Sequence, residues 1–231
     1  MKSLNSTYYI IFAFLISSIA IAQPAFQEEQ TANYIAPRTV NLLADPGDYT
    51  GSPYHEEDFI KGSILLKGKV IAYNQDLRYN VSKEEFELRN PGNSKSKIVN
   101  TIVRNKNIEI EINDITFEYV SDSKNSIRGY FIPLFKGNSN TLLKKIKKEY
   151  LPAQKAINSI SKDVPAMYRE IEILYLVNNN GEFIELPSSR NGKMKAFGEL
   201  KKTVKTYSKS NKLNVNNEKD LIQVVSYVDS L

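Results

Sequence analysis

The only imidazole of the chain, His55, sits in Tyr54-His55-Glu56-Glu57-Asp58. A histidine beside carboxylates can shuttle protons or supply a lone metal ligand. In an acidic, proline-bearing stretch, however, it reads as an exposed loop residue. Carboxylates also cluster in Glu84-Glu85-x-Glu87 and Glu109-x-Glu111. Glycoside hydrolysis needs two such groups about 5–10 Å apart in a cleft. Alternation puts Glu109 and Glu111 on the face opposite Ile108, Ile110 and Ile112, the arrangement of any solvated sheet face. With no cysteine and one histidine, thiolate chemistry, a disulfide frame and a multi-histidine metal site are excluded. No serine lies in a Gly-x-Ser-x-Gly elbow. Asp45-Pro46-Gly47-Asp48 lacks the ligand spacing of a calcium loop, and no glycine-rich phosphate loop is present. No catalytic, cofactor-binding or metal residue is assigned, and no cofactor is expected.

The lysines are the most distinctive charges. Lys193, Lys195, Lys201, Lys202, Lys205, Lys209 and Lys212 stand against Glu199 alone, and a second group is Lys144, Lys145, Lys147 and Lys148. In a cytoplasmic protein such density would suggest nucleic acid. The N-terminus redirects that reading. Met1-Lys2 precedes an apolar run from Ile10 to Ala22 that is shorter than the ~20 residues of a spanning helix. It ends Ala20-Ile21-Ala22 before Gln23, the small-x-small pattern that a signal peptidase cuts. Residues 1–22 are thus expected to be a signal peptide cleaved after Ala22. The product is expected in the periplasm or outside the cell, with no nucleic-acid partner and no integral membrane segment after processing. Export without cysteine suits a bacterial envelope. Lys193, Lys195, Lys201, Lys202, Lys205 and Lys209 then become candidate contacts for an anionic envelope component, with another envelope protein as the alternative partner.

The elements that position these residues follow from periodicity. Residues 23–58 carry four prolines and mostly acidic charge, and are expected as an extended arm. Residues 59–186 alternate in short runs and predict an antiparallel β domain. A turn at Asn113-Asp114 pairs Ile112 with Ile115, Ile110 with Phe117 and Ile108 with Tyr119, which puts every apolar residue on one face. A turn at Lys67-Gly68 sets Leu65 opposite Val70 and Ile64 opposite Ile71. A turn at Asn180-Gly181 sets Val177 opposite Ile184 and Tyr175 opposite Leu186. Further strands are expected at 77–81, 85–89, 97–103 and 129–135, and 141–150 fits either a strand or a short basic helix. Residues 187–231 predict a helical hairpin. Its stripes are Met194, Phe197, Leu200, Val204, Tyr207 and then Leu221, Val224, Val228, Leu231, with Asn217 as a cap. The fold class is α+β: a mainly antiparallel β meander, as a curved sheet or half-barrel, followed by a C-terminal two-helix hairpin.

Gly51-Ser52-Pro53-Tyr54, Leu77-Arg78-Tyr79-Asn80, Gly129-Tyr130-Phe131, Leu142-Leu143-Lys144-Lys145, Asn211-Lys212-Leu213 and Glu218-Lys219-Asp220-Leu221 together resemble a group of exported Bacteroidota envelope proteins. The similarity runs from about Gly51 to the C-terminus and implies an envelope protein without an assigned activity. The reading that follows is an exported, non-catalytic envelope (periplasmic) binding or scaffold protein. The alternatives are a carboxylate-dependent envelope hydrolase and a half-barrel carrier of an apolar ligand.

Overall fold

Asn113 and Asp114 both adopt positive φ, 51° and 62°, as a tight type I′ hairpin turn requires. The strands they join, β7 (Ile108–Ile112) and β8 (Ile115–Asp122), pair Ile112 with Ile115 and Ile110 with Phe117. Ile108, Ile110, Phe117 and Tyr119 are all buried. The expected register is the observed one.

This hairpin is the middle of a large sheet in a computed structural model that describes residues 34–42, 49–90, 92, 96–124, 126–156, 158 and 162–231. The expected signal peptide and its cleavage site lie outside the described residues. The other strands are β1 (Ile35–Asn41), β2 (Tyr49–Thr50), β3 (Ile60–Leu66), β4 (Lys69–Asn80), β5 (Glu85–Leu88), β6 (Ile98–Ile102), β9 (Ile127–Lys136), β10 (Thr141–Leu151), β11 (Ala166–Val177) and β12 (Phe183–Leu186). The sheet order is β1-β6-β5-β4-β3-β7-β8-β9-β10-β11-β12, with every neighbouring pair antiparallel. The sheet curls into a half-barrel, and residues 141–150 belong to a strand.

Two strands lie in the stretch expected as an acidic arm. β1 pairs with β6, and β2 pairs in parallel with β11. Downstream of β2, the His55 amide donates to the Tyr79 carbonyl, and the Val81 amide donates to the Pro53 carbonyl, both at 3.0 Å. Residues 49–55 thus strap the far part of the sheet to β4. β1 escapes sequence reading because Pro37 interrupts it. An edge strand tolerates that proline, and its register shifts between Ile35 and Thr39.

Two registers differ from expectation. Leu65 faces Val70 as expected, but bulges set Ile64 opposite Ala72 rather than Ile71. In the β11–β12 hairpin Val177 faces Phe183, Leu176 faces Ile184 and Tyr175 faces Glu185, one residue from the two-residue-turn register. The Asn178 side chain accepts from the amides of Asn180 and Glu182 at 3.0 Å, which closes a three-residue loop instead. Apolar residues occupy both faces of this hairpin, so hydrophobicity alone does not choose between the two registers.

β9 bridges two parts of the core. It pairs with β8 through residues 127–131 and with β10 through residues 132–136. One apolar cluster fills the half-barrel, with Ile64, Leu77, Tyr79, Phe86, Ile110, Phe117 and Tyr130 among its members. A second joins Leu142, Leu176 and Leu186 to the helices through Met194, Val204, Leu221, Val224 and Val225. A small third cluster holds Phe131, Leu143 and Tyr175.

The first helical stripe is not one helix. Gly198, with φ +55°, turns the chain between α1 (Arg190–Ala196) and α2 (Lys201–Ser210) through a single 3₁₀ turn, Gly198–Leu200. Leu200 consequently swings out to 37% exposure while Met194, Phe197 and Val204 stay buried. α3 (Glu218–Asp229) starts as expected, with the Asn217 side chain accepting from the Asp220 amide at 3.1 Å. Leu221, Val224 and Val228 are buried, but Leu231 lies beyond the helix and is exposed. At the other end of α3, the Asp229 carboxylate accepts from the amides of Asn138, Ser139 and Asn140 at 2.7–2.9 Å. That contact pins the helix to the β9–β10 turn.

Candidate functional site

The clustered carboxylates of β5 and the turn before it converge with the short motifs on one closing seam. Arg78 packs against the rings of Tyr54 and Phe59 and donates twice to Glu87, at 2.7 and 3.1 Å. Glu87 is only 1% exposed, and the Tyr54 hydroxyl donates to its second oxygen at 3.4 Å. Glu85 accepts from Arg38 and Arg104. Glu84 takes the Lys145 ammonium at 2.7 Å, the Tyr79 hydroxyl at 2.7 Å and the Tyr130 amide at 3.0 Å. Burial first, and the Glu84 charge second, push the Tyr79 hydroxyl far above the usual phenol range. A Cβ at Gly129 would overlap both Lys145 Nζ and Glu84 Oε1, so this glycine is a packing requirement. Each of these three carboxylates is engaged by donors from elsewhere in the fold. They hold strands together.

His55 is not simply exposed. Its ring meets Phe117 edge-on at 6.0 Å between centroids, and Nδ1 lies 3.6 Å from a Glu170 oxygen that Lys148 holds at 2.8 Å. Burial alone would raise the Glu170 carboxyl. The hydrogen bond and charge of Lys148, together with His55, outweigh it and hold the group below the usual range. The cavity beside His55, between Leu77, Ile112 and Phe117, measures about 20 Å³. That is room for one water. Behind it, Tyr79 stacks on Phe86 at 4.6 Å, and Phe86 meets Tyr130 at 4.8 Å and Phe117 at 5.3 Å. Aromatic side chains fill the inside of the half-barrel where an apolar cargo would sit.

Glu109 lies directly opposite Glu118 across the β7–β8 ladder, on the wall of an open groove of about 630 Å³. Ile132, Pro133 and Phe135 line the same groove, with Lys144 and Glu218 at the helical side. The pairing of Glu109 with Glu118, rather than with Glu111, follows from the hairpin register read from the Asn113-Asp114 turn. The Gly68 amide donates to Glu109 at 3.0 Å, and Lys136 donates to Glu118 at 2.5 Å. A hydrolytic pair needs one carboxyl that keeps a proton in apolar surroundings. Here both carboxylates instead accept from N–H donors.

The two lysine groups have different fates. In the first, Lys144 bonds Glu218 at 2.7 Å, Lys145 bonds Glu84, and Lys148 bonds Glu170. In the second, Lys193 is buried at 7% exposure. It donates to the Asn216 side chain at 3.3 Å, and burial lowers its pKa. Lys193 therefore leaves the set of candidate contacts. Lys195, Lys201, Lys202, Lys205 and Lys209 are all exposed. Among the described residues, no carboxylate lies within ion-pair distance of any of them. At 3.6 residues per turn, Lys201, Lys202, Lys205 and Lys209 share an arc of about 100° along about 12 Å of α2. Val204 and Ser208 form the buried side of that helix.

Among the described residues, no group of three or more His, Asp or Glu side chains could hold a metal ion, and no helix is long and apolar enough to cross a membrane. Compared with known proteins, the chain matches no family model, no curated protein and no solved structure.

Proposed function

We propose that this chain is an exported, non-catalytic envelope protein, periplasmic or extracellular, in which the β half-barrel is a scaffold and the helical layer is the working surface. The observation that carries the reading is the lysine face of α2 with Lys195: five exposed ammonium groups, none ion-paired among the described residues. Like charges at i,i+4 destabilise a helix by about 0.2–0.5 kcal/mol per pair. An anionic partner would offset that cost. The filled interior and the donor-bound carboxylates favour this reading over an apolar carrier and over a hydrolase.

Retention on a soluble polyanion such as dextran sulfate and on anionic vesicles, each across a salt series, tests the binding half. Retention on at least one, lost at a few hundred millimolar salt, is expected. Failure on both at every ionic strength would refute it. Intact mass from a cell-envelope fraction tests the export half, with a chain beginning at Gln23 expected.

A further inference from the structure

We infer that the partner of the lysine face is the phosphate headgroup layer of an anionic lipid bilayer, on which the protein rests with α2 parallel to the surface. This rests on the proposed reading of that face as a docking surface, and adds what it docks on.

The first argument is shape. The exposed side of a single helix is convex. The four α2 lysines spread over an arc of about 100° and about 12 Å of axis, with Lys195 preceding them on α1. The four charges of the α2 arc can all reach a plane, whereas a single thread would reach only part of them. The second argument is residue type. The two-pronged carboxylate contacts of this chain come from arginine, with Arg38 reaching both oxygens of Glu85 and Arg78 donating twice to Glu87. Lys145 and Lys148 instead meet their carboxylates through single ammonium–oxygen contacts. The docking face carries only lysine, a compact point charge suited to phosphate and indifferent to direction. The third is orientation. The exposed acids Glu56, Glu57 and Asp58 directly follow the strap whose His55 reaches Glu170. The helices pack further along β11, over Leu176. Those three acids therefore stand apart from the lysine face, which leaves that face free to turn toward an anionic plane. The mounting is also fixed, because Asp229 at the end of α3 binds the β9–β10 turn through three backbone amides. The exposed Leu200 belongs to the 3₁₀ turn before α2 and not to the lysine arc, so the contact is electrostatic and peripheral rather than inserted.

The test uses the protein from Gln23 onward, which retains every described residue, with vesicles of phosphatidylcholine containing about one third phosphatidylglycerol. A lysine near an anionic surface contributes about fivefold to partitioning. The triple variant Lys201→Glu, Lys205→Glu, Lys209→Glu should therefore lose more than a hundredfold, and the corresponding triple Gln variant close to a hundredfold. A charge-matched control reverses Lys67, Lys69 and Lys106, which are exposed on two neighbouring turns where the Lys67 amide donates to the Asn107 carbonyl. It should lose much less. Circular dichroism melts establish that all variants fold, and pure phosphatidylcholine vesicles should not bind. Binding to dextran sulfate without binding to the anionic vesicles would overturn the lipid assignment and leave the docking surface standing. Binding to neither would overturn both. Equal losses in the control and the α2 variant would show that net charge, not this face, drives adsorption.

Discussion

Replacing Lys145 or Glu84 singly, and then together, gives the sharpest test of how the seam is held. Lys145 is 7% exposed. Besides Glu84 at 2.7 Å it has, among the described residues, the Arg128 carbonyl at 2.5 Å and the Phe131 ring at 4.9 Å. Glu84→Gln therefore leaves an ammonium in the interior without its counter-charge, which costs about 3–5 kcal/mol. Lys145→Met is milder. Glu84 keeps the Tyr79 hydroxyl and the Tyr130 amide, and its side chain is 27% exposed to water, so about 2–3 kcal/mol is expected. The double variant removes both charges and should cost less than the sum of the singles by about 2 kcal/mol. Gly129→Ala drives a methyl into both partners at a φ of +133° and should be at least as damaging as Glu84→Gln. Urea melts at neutral pH, analysed with a shared m-value, supply all four numbers. Additivity within about 0.5 kcal/mol, or a Lys145→Met cost larger than that of Glu84→Gln, would refute the reasoning.

Ile110→Lys should cost about 4 kcal/mol or more, because Ile110 is fully buried. Glu109→Lys, which sets a lysine opposite Glu118, should stay within about 1 kcal/mol of wild type. Urea midpoints decide both, and equal midpoints would mean the facing is wrong. Three backbone N–H donors hold the Asp229 carboxyl below its ordinary range. Its contribution is therefore complete above the unfolded aspartate pKa of about 3.9 and is lost as pH falls through the depressed folded value. Asp229→Asn should lower the melting temperature at neutral pH and flatten the acid limb. Gly137→Ala, whose methyl would overlap that carboxylate, should lower it in the same way. Lys193→Met should be neutral or mildly stabilising in a thermal melt, since among the described residues the buried ammonium has one side-chain acceptor.

Legibility differed by element for identifiable reasons. The β7–β8 hairpin could be read to the residue because one face is apolar and the other charged, so only one register satisfies both. The β11–β12 hairpin could not, because Leu174, Leu176, Ile184 and Leu186 face the helical layer while Tyr175, Val177 and Phe183 face the small third cluster. β1 and β2 were hidden because an edge strand with a proline and a two-residue parallel strand carry no period. The break at Gly198 had a signal in the glycine itself, but the cost of a glycine inside a helix and the positive φ of a turn look alike in sequence. At the site level, the lysine-rich helix was legible as composition and the loss of Lys193 was not. Lys193 belongs to α1 beside Met194, and only the turn at Gly198 separates its environment from that of α2.

The short sequence motifs also change meaning once placed. Tyr54, Arg78, Tyr79 and Asn80 meet at the strap and β4, with Tyr54 bridging Asn80. Gly129, Tyr130 and Lys145 meet at Glu84. Asp220 accepts from the Asn214 amide at 2.8 Å and so shapes the entry to α3. Each is explained by a contact inside the chain, so a pattern of this kind can mark a fold without marking a site. The lysines divide by the same criterion. A charge on a strand whose side chain turns inward must find a partner or be neutralised, and Lys144, Lys145 and Lys148 have carboxylates. A charge on the outer side of α2 has no such obligation, and nothing inside the described protein accounts for four of them on one arc. The search for function in this molecule therefore belongs on the surface where the fold leaves charge unanswered, rather than at the seam where its most recognisable residues gather.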